Sequence, residues 1–185
     1  MKQEVTSWKE LNESGLVDTV NKKVLNPKGY NIVVDGDNSK LTKLIYGDEP
    51  FDYLVELYMS KTTGPRVDSA IIEGAKALSA GKDHNLTYQG KRRAVALIEK
   101  LSHWSDKLCN WPSDIDEQFK AMVSLTGGRD FKRTTIEAVK EAFNSDEIIF
   151  RIAKKHNTNM LNIIHAKDKL ESFSKAAQDY KKLLE

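Results

Sequence analysis

Residues 89–108, QGKRRAVALIEKLSHWSDKL, carry the clearest helical pattern of the chain. Apolar residues recur there every three or four positions, as they do on the buried face of an amphipathic helix. They are Ala94, Leu97, Ile98, Leu101, Trp104 and Leu108. This stretch is therefore the most convincing buried helix that the sequence predicts.

The first turn of this helix is basic. Lys91, Arg92 and Arg93 stand where the helix macrodipole is already positive, which costs about 0.3–1 kcal/mol per charge. A solvated basic corner explains them, and so does an anion such as phosphate bound at the helix start. A second cationic segment with Arg129, Lys132 and Arg133 also precedes a helix. The two segments together are a candidate anion-binding cradle.

Composition limits the function classes. Hydrophobic residues make up 39% of the chain and charged residues 30%. The net charge of +2 does not by itself indicate a nucleic-acid-binding protein. Cys109 is the only cysteine, which predicts a reducing compartment. The start lacks the apolar core of a signal peptide, and no apolar run approaches the roughly 18 residues of a membrane span. We therefore expect a soluble protein of the cytoplasm that does not act at a membrane.

The N-terminal part predicts two short helices and a β-hairpin. Ser7 or Thr6 is a candidate cap for a helix with Trp8, and Gly15 ends it. Tyr30, Ile32 and Val34 alternate in the first strand, and the second strand is predicted over residues 40–46. An Asp-Gly-Asp-Asn turn over residues 35–38 joins the strands.

This opening resembles a recurring N-terminal module of small uncharacterised proteins of tailed phages and prophages. The resemblance rests on Trp8-Lys9-Glu10-Leu11, Gly15-Leu16-Val17, Val20-Asn21, Val24-Leu25-Asn26-Pro27 and Gly29. It covers about the first 35 residues, and Asn26 stands where that family usually has His. The resemblance implies a phage or prophage origin, hence the cytoplasm of a host bacterium, and no particular activity.

The remaining pattern is helical to the end. We predict a mainly α (α+β) fold with one N-terminal hairpin and a long C-terminal helix. Its segments are residues 1–47, a helical core at 48–126 and a helical segment at 127–185, forming one compact unit. Ser113 is the predicted cap of a helix that begins with acidic residues, and Gly127-Gly128 marks the last segment boundary.

Residues 148–170, IIFRIAKKHNTNMLNIIHAKDKL, resemble a helix-turn-helix. Ala153, Asn157 and Ile163 have the spacing of its small residue, left-handed turn residue and apolar anchor, and Asn tolerates the left-handed conformation. The second helix would then read base edges in the major groove. The candidate base-reading residues are Thr158, Asn159, Asn162 and His165, and the candidate phosphate contacts are Arg151, Lys154, Lys155, Lys167 and Lys169. A plain corner between packed helices has the same pattern.

The last helix also carries a heptad-like seam. Ile163, Ala166, Leu170, Phe173, Ala177, Tyr180 and Leu184 alternate steps of three and four. Core packing within one chain explains this pattern, and so does a homodimer or a partner helix.

No catalytic or metal-binding motif fits this sequence, so we expect neither an enzymatic activity nor a bound cofactor. The four histidines are unpaired in sequence and only one cysteine accompanies them. The first hypothesis is DNA binding through the helix-turn-helix-like segment. The alternative is a protein that inhibits a host enzyme or defence complex through the acidic residues at 48–56 or the terminal heptads. A further alternative is capture of a small phosphorylated ligand.

Overall fold

The computed structural model describes residues 7–43, 48–62 and 67–185. These residues form nine α-helices and one two-stranded antiparallel sheet. The elements are α1 (Trp8–Glu13), α2 (Leu16–Val20), β1 (Tyr30–Asp35), β2 (Asn38–Lys43), α3 (Asp48–Lys61), α4 (Ser69–Ser79), α5 (Tyr88–Cys109), α6 (Ile115–Thr126), α7 (Arg133–Asn144), α8 (Ile149–Lys155) and α9 (Met160–Leu183). The predicted mainly helical fold with an N-terminal hairpin and a long C-terminal helix is confirmed.

The chain divides into two compact units, Met1–Asp106 (unit 1) and Lys107–Glu185 (unit 2). This boundary lies inside α5 and coincides with neither of the boundaries predicted at 47 and 127. Gly127 takes a left-handed conformation (φ 66°) as the C-terminal cap of α6. Its N–H donates to the carbonyl of Val123 at 2.9 Å, which closes the helix.

The N-terminal helices of unit 1 begin and end near their predicted signals. The Ser7 hydroxyl accepts a hydrogen bond from the Glu10 N–H at 3.2 Å and so caps α1. Gly15 follows with φ 80°. The chain then passes from α2 through a π-helical turn, Asn21–Leu25, and a 3-10 turn, Asn26–Lys28, before β1. The alternative cap Thr6 lies outside the described residues.

The first strand of the hairpin has the predicted bounds, and the second strand begins two residues earlier than predicted. Tyr30 is opposite Lys43 and Asp35 is opposite Asn38, so the second strand starts before residue 40 and the predicted strand residues 44–46 lie outside the described residues. The alternating set does not form one buried face, because Tyr30 is exposed while Asn31 is buried. Asn31 lies beside Thr42, whose hydroxyl donates to the backbone carbonyl of Asn31 at 3.2 Å.

The core of unit 1 is formed by the apolar faces of α3, α4 and α5. Trp104 on α5 is 1% exposed and meets the ring of Tyr58 edge-on at 5.9 Å between centroids. Gly74 on α4 permits a close approach, because a Cβ built there would lie 2.3 Å from Cδ1 of Leu86. The predicted central helix is therefore confirmed as the main buried helix of this unit.

Unit 2 contains helices α6 to α9 and the end of α5. The Trp111 ring stacks on the Phe173 ring, with 6.1 Å between the ring centroids. The indole N–H of Trp111 donates to the Ser174 hydroxyl at 3.1 Å. Asp114, and not the predicted Ser113, caps α6, since its carboxylate accepts from the Glu117 N–H at 3.1 Å. The cap therefore lies one residue later than predicted.

A carboxylate joins α6 to α7. Asp116 accepts hydrogen bonds from Lys140 and, at 2.7 Å, from Arg133. The Lys140 ammonium first, and the Arg133 guanidinium after it, hold the pKa of the Asp116 carboxyl below its usual value. Asp116 therefore stays ionised and ties the two helices together near the start of α7.

Candidate functional site

The connection between α8 and α9 is a tight left-handed turn. Asn157 has φ 52°, and it is the one non-glycine residue of the described chain with a positive φ. The Thr158 N–H donates to the carbonyl of Ala153 at 3.0 Å, which satisfies a carbonyl at the end of α8. Asn157 thus takes the conformation that a helix-turn-helix requires of its turn residue.

Buried side chains fix the two helices against each other. Ile152 and Ala153 on α8 and Ile163 and Ala166 on α9 are all at most 4% exposed. The Asn159 carboxamide oxygen accepts from the Asn162 N–H at 2.8 Å and caps α9. Asn159 is therefore the N-terminal cap of α9, and the side-chain oxygen of this candidate base-reading residue is engaged within the helix start.

The other candidate base-reading residues differ in exposure. Asn162 and His165 are exposed on the first two turns of α9, and Thr158 is half-buried in the turn. Between them lie apolar side chains that the sequence interpretation did not single out. Met160, Leu161 and Ile164 are 44%, 64% and 37% exposed.

We call Met160, Leu161 and Ile164 the α9 apolar strip, since residues three and four apart lie side by side on a helix. Two further apolar side chains, Ile148 and Phe150, are more than half exposed at the start of α8. The sequence contains a signal for Ile164, which lies one position off the three-four spacing that the buried seam of α9 continues through Ile163.

The candidate phosphate contacts are placed on α8 and α9, and several have carboxylate partners. Lys155 pairs with Glu141 at 2.7 Å, Arg151 with Glu147 at 3.6 Å and Lys167 with Glu171 at 3.9 Å. Lys154 and Lys169 have no carboxylate within ion-pair distance among the described residues. Their ammonium groups lie 4.8 Å and 5.9 Å from the ring centroids of Phe150 and Phe131.

The segment as a whole is basic. Residues 148–169 contain five Lys and Arg residues and one acidic residue, Asp168. Arg151, Lys154 and Lys155 on α8 and Lys169 on α9 are exposed. An exposed apolar strip on a basic segment is therefore the main chemical feature of this surface.

The two candidate anion-binding clusters lie in different units, and each is described by itself. In unit 1, Arg92 lies 3.8 Å from Asp35 and Arg93 lies 3.9 Å from Asp68, while Lys91 has no carboxylate within ion-pair distance among the described residues. In unit 2, Arg133 pairs with Asp116 and Glu137. Arg129 and Lys132 are exposed before α7. Three of the four arginines in these clusters, Arg92, Arg93 and Arg133, thus have a carboxylate partner, whereas Lys91 has none among the described residues.

The heptad-like seam of α9 is buried in the folded chain. Six of its seven residues, all except Leu184, are at most 3% exposed, and α9 packs against α6, α7 and α8. Leu184 is 46% exposed just beyond the end of α9. This burial is what core packing within one chain requires.

The acidic residues at 48–56 lie on α3, and part of this group is used within unit 1. The Lys76 ammonium on α4 donates to both carboxylate oxygens of Asp52, at 3.1 and 3.2 Å. Asp48 lies 3.8 Å from the same ammonium, whereas Glu49 and Glu56 are exposed. The contact joins α3 to α4 and leaves a smaller acidic face than the sequence indicates.

No protein-family model matches the chain, and neither a curated protein nor a solved structure is significantly similar to it.

Among the described residues, no helix is both long enough and apolar enough to cross a membrane. The same part of the chain contains no group of three or more His, Cys, Asp or Glu side chains placed to hold a metal ion.

Proposed function

We propose that unit 2 binds a partner protein through the α9 apolar strip. The observation that carries this proposal is the exposure of Met160, Leu161 and Ile164 on the first two turns of α9. In a helix-turn-helix these turns face the bases, where recognition depends on donors and acceptors. Met, Leu and Ile side chains have no strong donor or acceptor, but they provide the apolar centre that a protein interface requires.

The surrounding charge indicates what the partner offers. Lys154 on the preceding helix is exposed and has no carboxylate within ion-pair distance among the described residues, so an acidic rim on the partner would complement it. The resemblance of the N-terminal module to phage proteins makes a protein of the host bacterium the expected partner. The proposed role is therefore a non-enzymatic adaptor or inhibitor that acts on a host protein.

Site-specific photo-crosslinking tests this proposal. A benzoylphenylalanine at position 161 should give one discrete, nuclease-resistant protein adduct in host cells. The same probe at position 182, which is also exposed on α9, provides the control. The adduct at 161 should disappear in the Ile164→Asp background. Equal adducts at both positions, or adducts formed only with nucleic acid, would contradict the proposal.

DNA binding is the second candidate, and the left-handed Asn157 with its buried anchors favours it. Exposed Asn162 and His165 would contact bases, and Arg151 and Lys154 would contact phosphates. Fluorescence anisotropy with random duplex DNA at two salt concentrations separates the two functions. Phosphate contacts give affinity that falls steeply with salt and falls again in Arg151→Gln and Lys154→Gln. Absence of binding at low salt would remove this candidate.

A further inference from the structure

Unit 1 contains a polar cavity of about 270 Å³ that the proposed function does not use. It is bounded by α1, α2 and the following turns, by β1, by the end of α4 and by Lys91 of α5. Its lining includes three asparagines, Asn21, Asn26 and Asn31, which we call the amide wall, and the β1 residues Ile32, Val33 and Val34. The cavity thus combines amides with apolar residues of β1.

Hydrogen bonds hold the amide wall in place. The buried Asn21 carboxamide accepts from the Ile32 N–H at 2.7 Å and donates to the Ile32 carbonyl at 2.8 Å, as a neighbouring strand would. With its amide nitrogen turned toward these acceptors, Asn26 donates to the Tyr30 carbonyl at 2.9 Å and to Asn31 Oδ1 at 3.2 Å. These asparagines are therefore fixed before any ligand arrives, which lowers the entropic cost of binding.

Two donors at this cavity remain available. Asn31 is 8% exposed, and its amide nitrogen has no acceptor among the described residues. Lys91 is half-buried, and no carboxylate of the described chain pairs with it, although its neighbours Arg92 and Arg93 each have one. A cation in the first turn of α5 opposes the helix macrodipole, so the local fold gives no reason for it.

The other charges at the cavity largely cancel. Lys22 and Asp18 both line it, and they pair with each other at 2.9 Å. The net charge that a ligand meets is therefore set by Lys91. A single ammonium in a cavity that is also lined by fixed amides favours a ligand with one anionic group and several hydrogen-bonding groups.

We propose that this cavity binds a small hydroxylated organic anion. Its carboxylate or phosphate lies on Lys91, its hydroxyl groups face Asn31, and its carbon skeleton rests on the apolar side chains of β1. The cavity lies just below the roughly 300–1,000 Å³ of sites for drug-sized ligands, which restricts the ligand to about the size of a monosaccharide. This site lies in unit 1 and is independent of the protein-binding surface of unit 2.

The probes are glucose 6-phosphate and gluconate, with glucose and inorganic phosphate as controls. In ¹H–¹⁵N spectra of the full chain, either organic anion should shift the Asn31 side-chain amide and the Ile32 backbone amide saturably. Glucose should not shift them, and inorganic phosphate should bind more weakly than glucose 6-phosphate. The stronger of the two organic anions identifies the acidic group that the site prefers.

Lys91→Met should weaken this binding about tenfold or more, which corresponds to the loss of one charge-assisted contact. It should retain the spectrum of the folded protein, because it breaks no ion pair of the described chain. Arg93→Met, a neighbouring change outside the cavity, should bind as the unchanged protein does. No saturable shift with either organic anion up to about 10 mM would overturn the proposal. Unchanged affinity in Lys91→Met, or phosphate binding as tightly as glucose 6-phosphate, would do the same.

Discussion

Glu141 on α7 joins the end of α8 through His156, with 2.6 Å between Glu141 Oε2 and His156 Nε2. Its other oxygen accepts from the Lys155 ammonium at 2.7 Å. The hydrogen bond from Lys155 first, and that from His156 second, hold the pKa of the Glu141 carboxyl below its usual value. One carboxylate thus fixes the helix end from which the left-handed turn at Asn157 departs.

This lowered pKa makes the contact pH-dependent. A carboxylate whose pKa is lower in the folded state contributes stability above its unfolded pKa, and the contribution is lost as the pH falls through the folded value. We expect Glu141→Gln to lower the Tm at pH 7, and the difference from the unchanged protein to shrink below about pH 4. Thermal unfolding followed by circular dichroism across this range measures it.

Glu147→Gln is the matched control, because Glu147 pairs with Arg151 at 3.6 Å and both side chains are largely exposed. Its Tm should change little at any pH, as is usual for exposed ion pairs. A Glu141→Gln variant that follows this control would show that the Glu141 contact does not stabilise the turn.

Gly74→Ala should destabilise the protein, although a glycine-to-alanine change inside a helix usually stabilises it. Alanine is favoured over glycine inside a helix by about 1 kcal/mol. At Gly74, however, the new Cβ would lie within 2.7 Å of three side-chain atoms of Leu86, and overpacking costs about 1–3 kcal/mol. We therefore expect a lower Tm, with partial recovery when Leu86→Ala is added. Gly128→Ala, whose Cβ meets only the Thr126 hydroxyl at 3.4 Å, serves as the control.

The turn between α8 and α9 should tolerate glycine at position 157 better than alanine. Asn157→Gly keeps the left-handed conformation available and should leave stability almost unchanged. Asn157→Ala should destabilise by about 1–2 kcal/mol, because a Cβ without a polar side chain disfavours φ 52°. Urea unfolding of both variants measures the difference, and equal losses would mean that the backbone conformation is not what Asn157 supplies.

Sequence reasoning located the elements whose signals are local. The apolar spacing of α5 and the turn residue Asn157 depend on neighbours within a few positions, and the structure contains both. The cap of α6 was placed one residue early, because Ser113 and Asp114 have equivalent capping chemistry and only the fold selects between them. The division inside α5 has no sequence signal, since a continuous helix carries no change of composition there.

The candidate sites were only partly predictable for a related reason. The basic start of α5 was visible as a departure from helix electrostatics. The amide wall next to Lys91 was not, because Asn21 and Ile32 meet through hydrogen bonds across 11 residues and two different element types. The α9 apolar strip was overlooked because the buried seam of the same helix accounted for its periodicity.

Two adjacent isoleucines provide the sharpest test of the binding surface. Ile163 is fully buried and Ile164 is 37% exposed. We expect Ile163→Ala to destabilise by about 2–5 kcal/mol, since it leaves a cavity in the core, whereas Ile164→Ala should stay within about 0.5 kcal/mol. Partner binding should show the opposite order. Ile164→Ala should weaken it about tenfold while the protein remains folded, because a central apolar contact of the interface is removed.

A comparison of Ile164→Ala with Lys154→Gln separates protein binding from DNA binding. If unit 2 binds DNA, Ile164→Ala should leave the affinity almost unchanged, and Lys154→Gln should lower both the affinity and its dependence on salt. If unit 2 binds a protein, the apolar change should have the larger effect, and salt should act mainly on the association rate. Measuring both variants by surface plasmon resonance, against the crosslinked partner and against duplex DNA, decides between the two functions on proteins of equal stability.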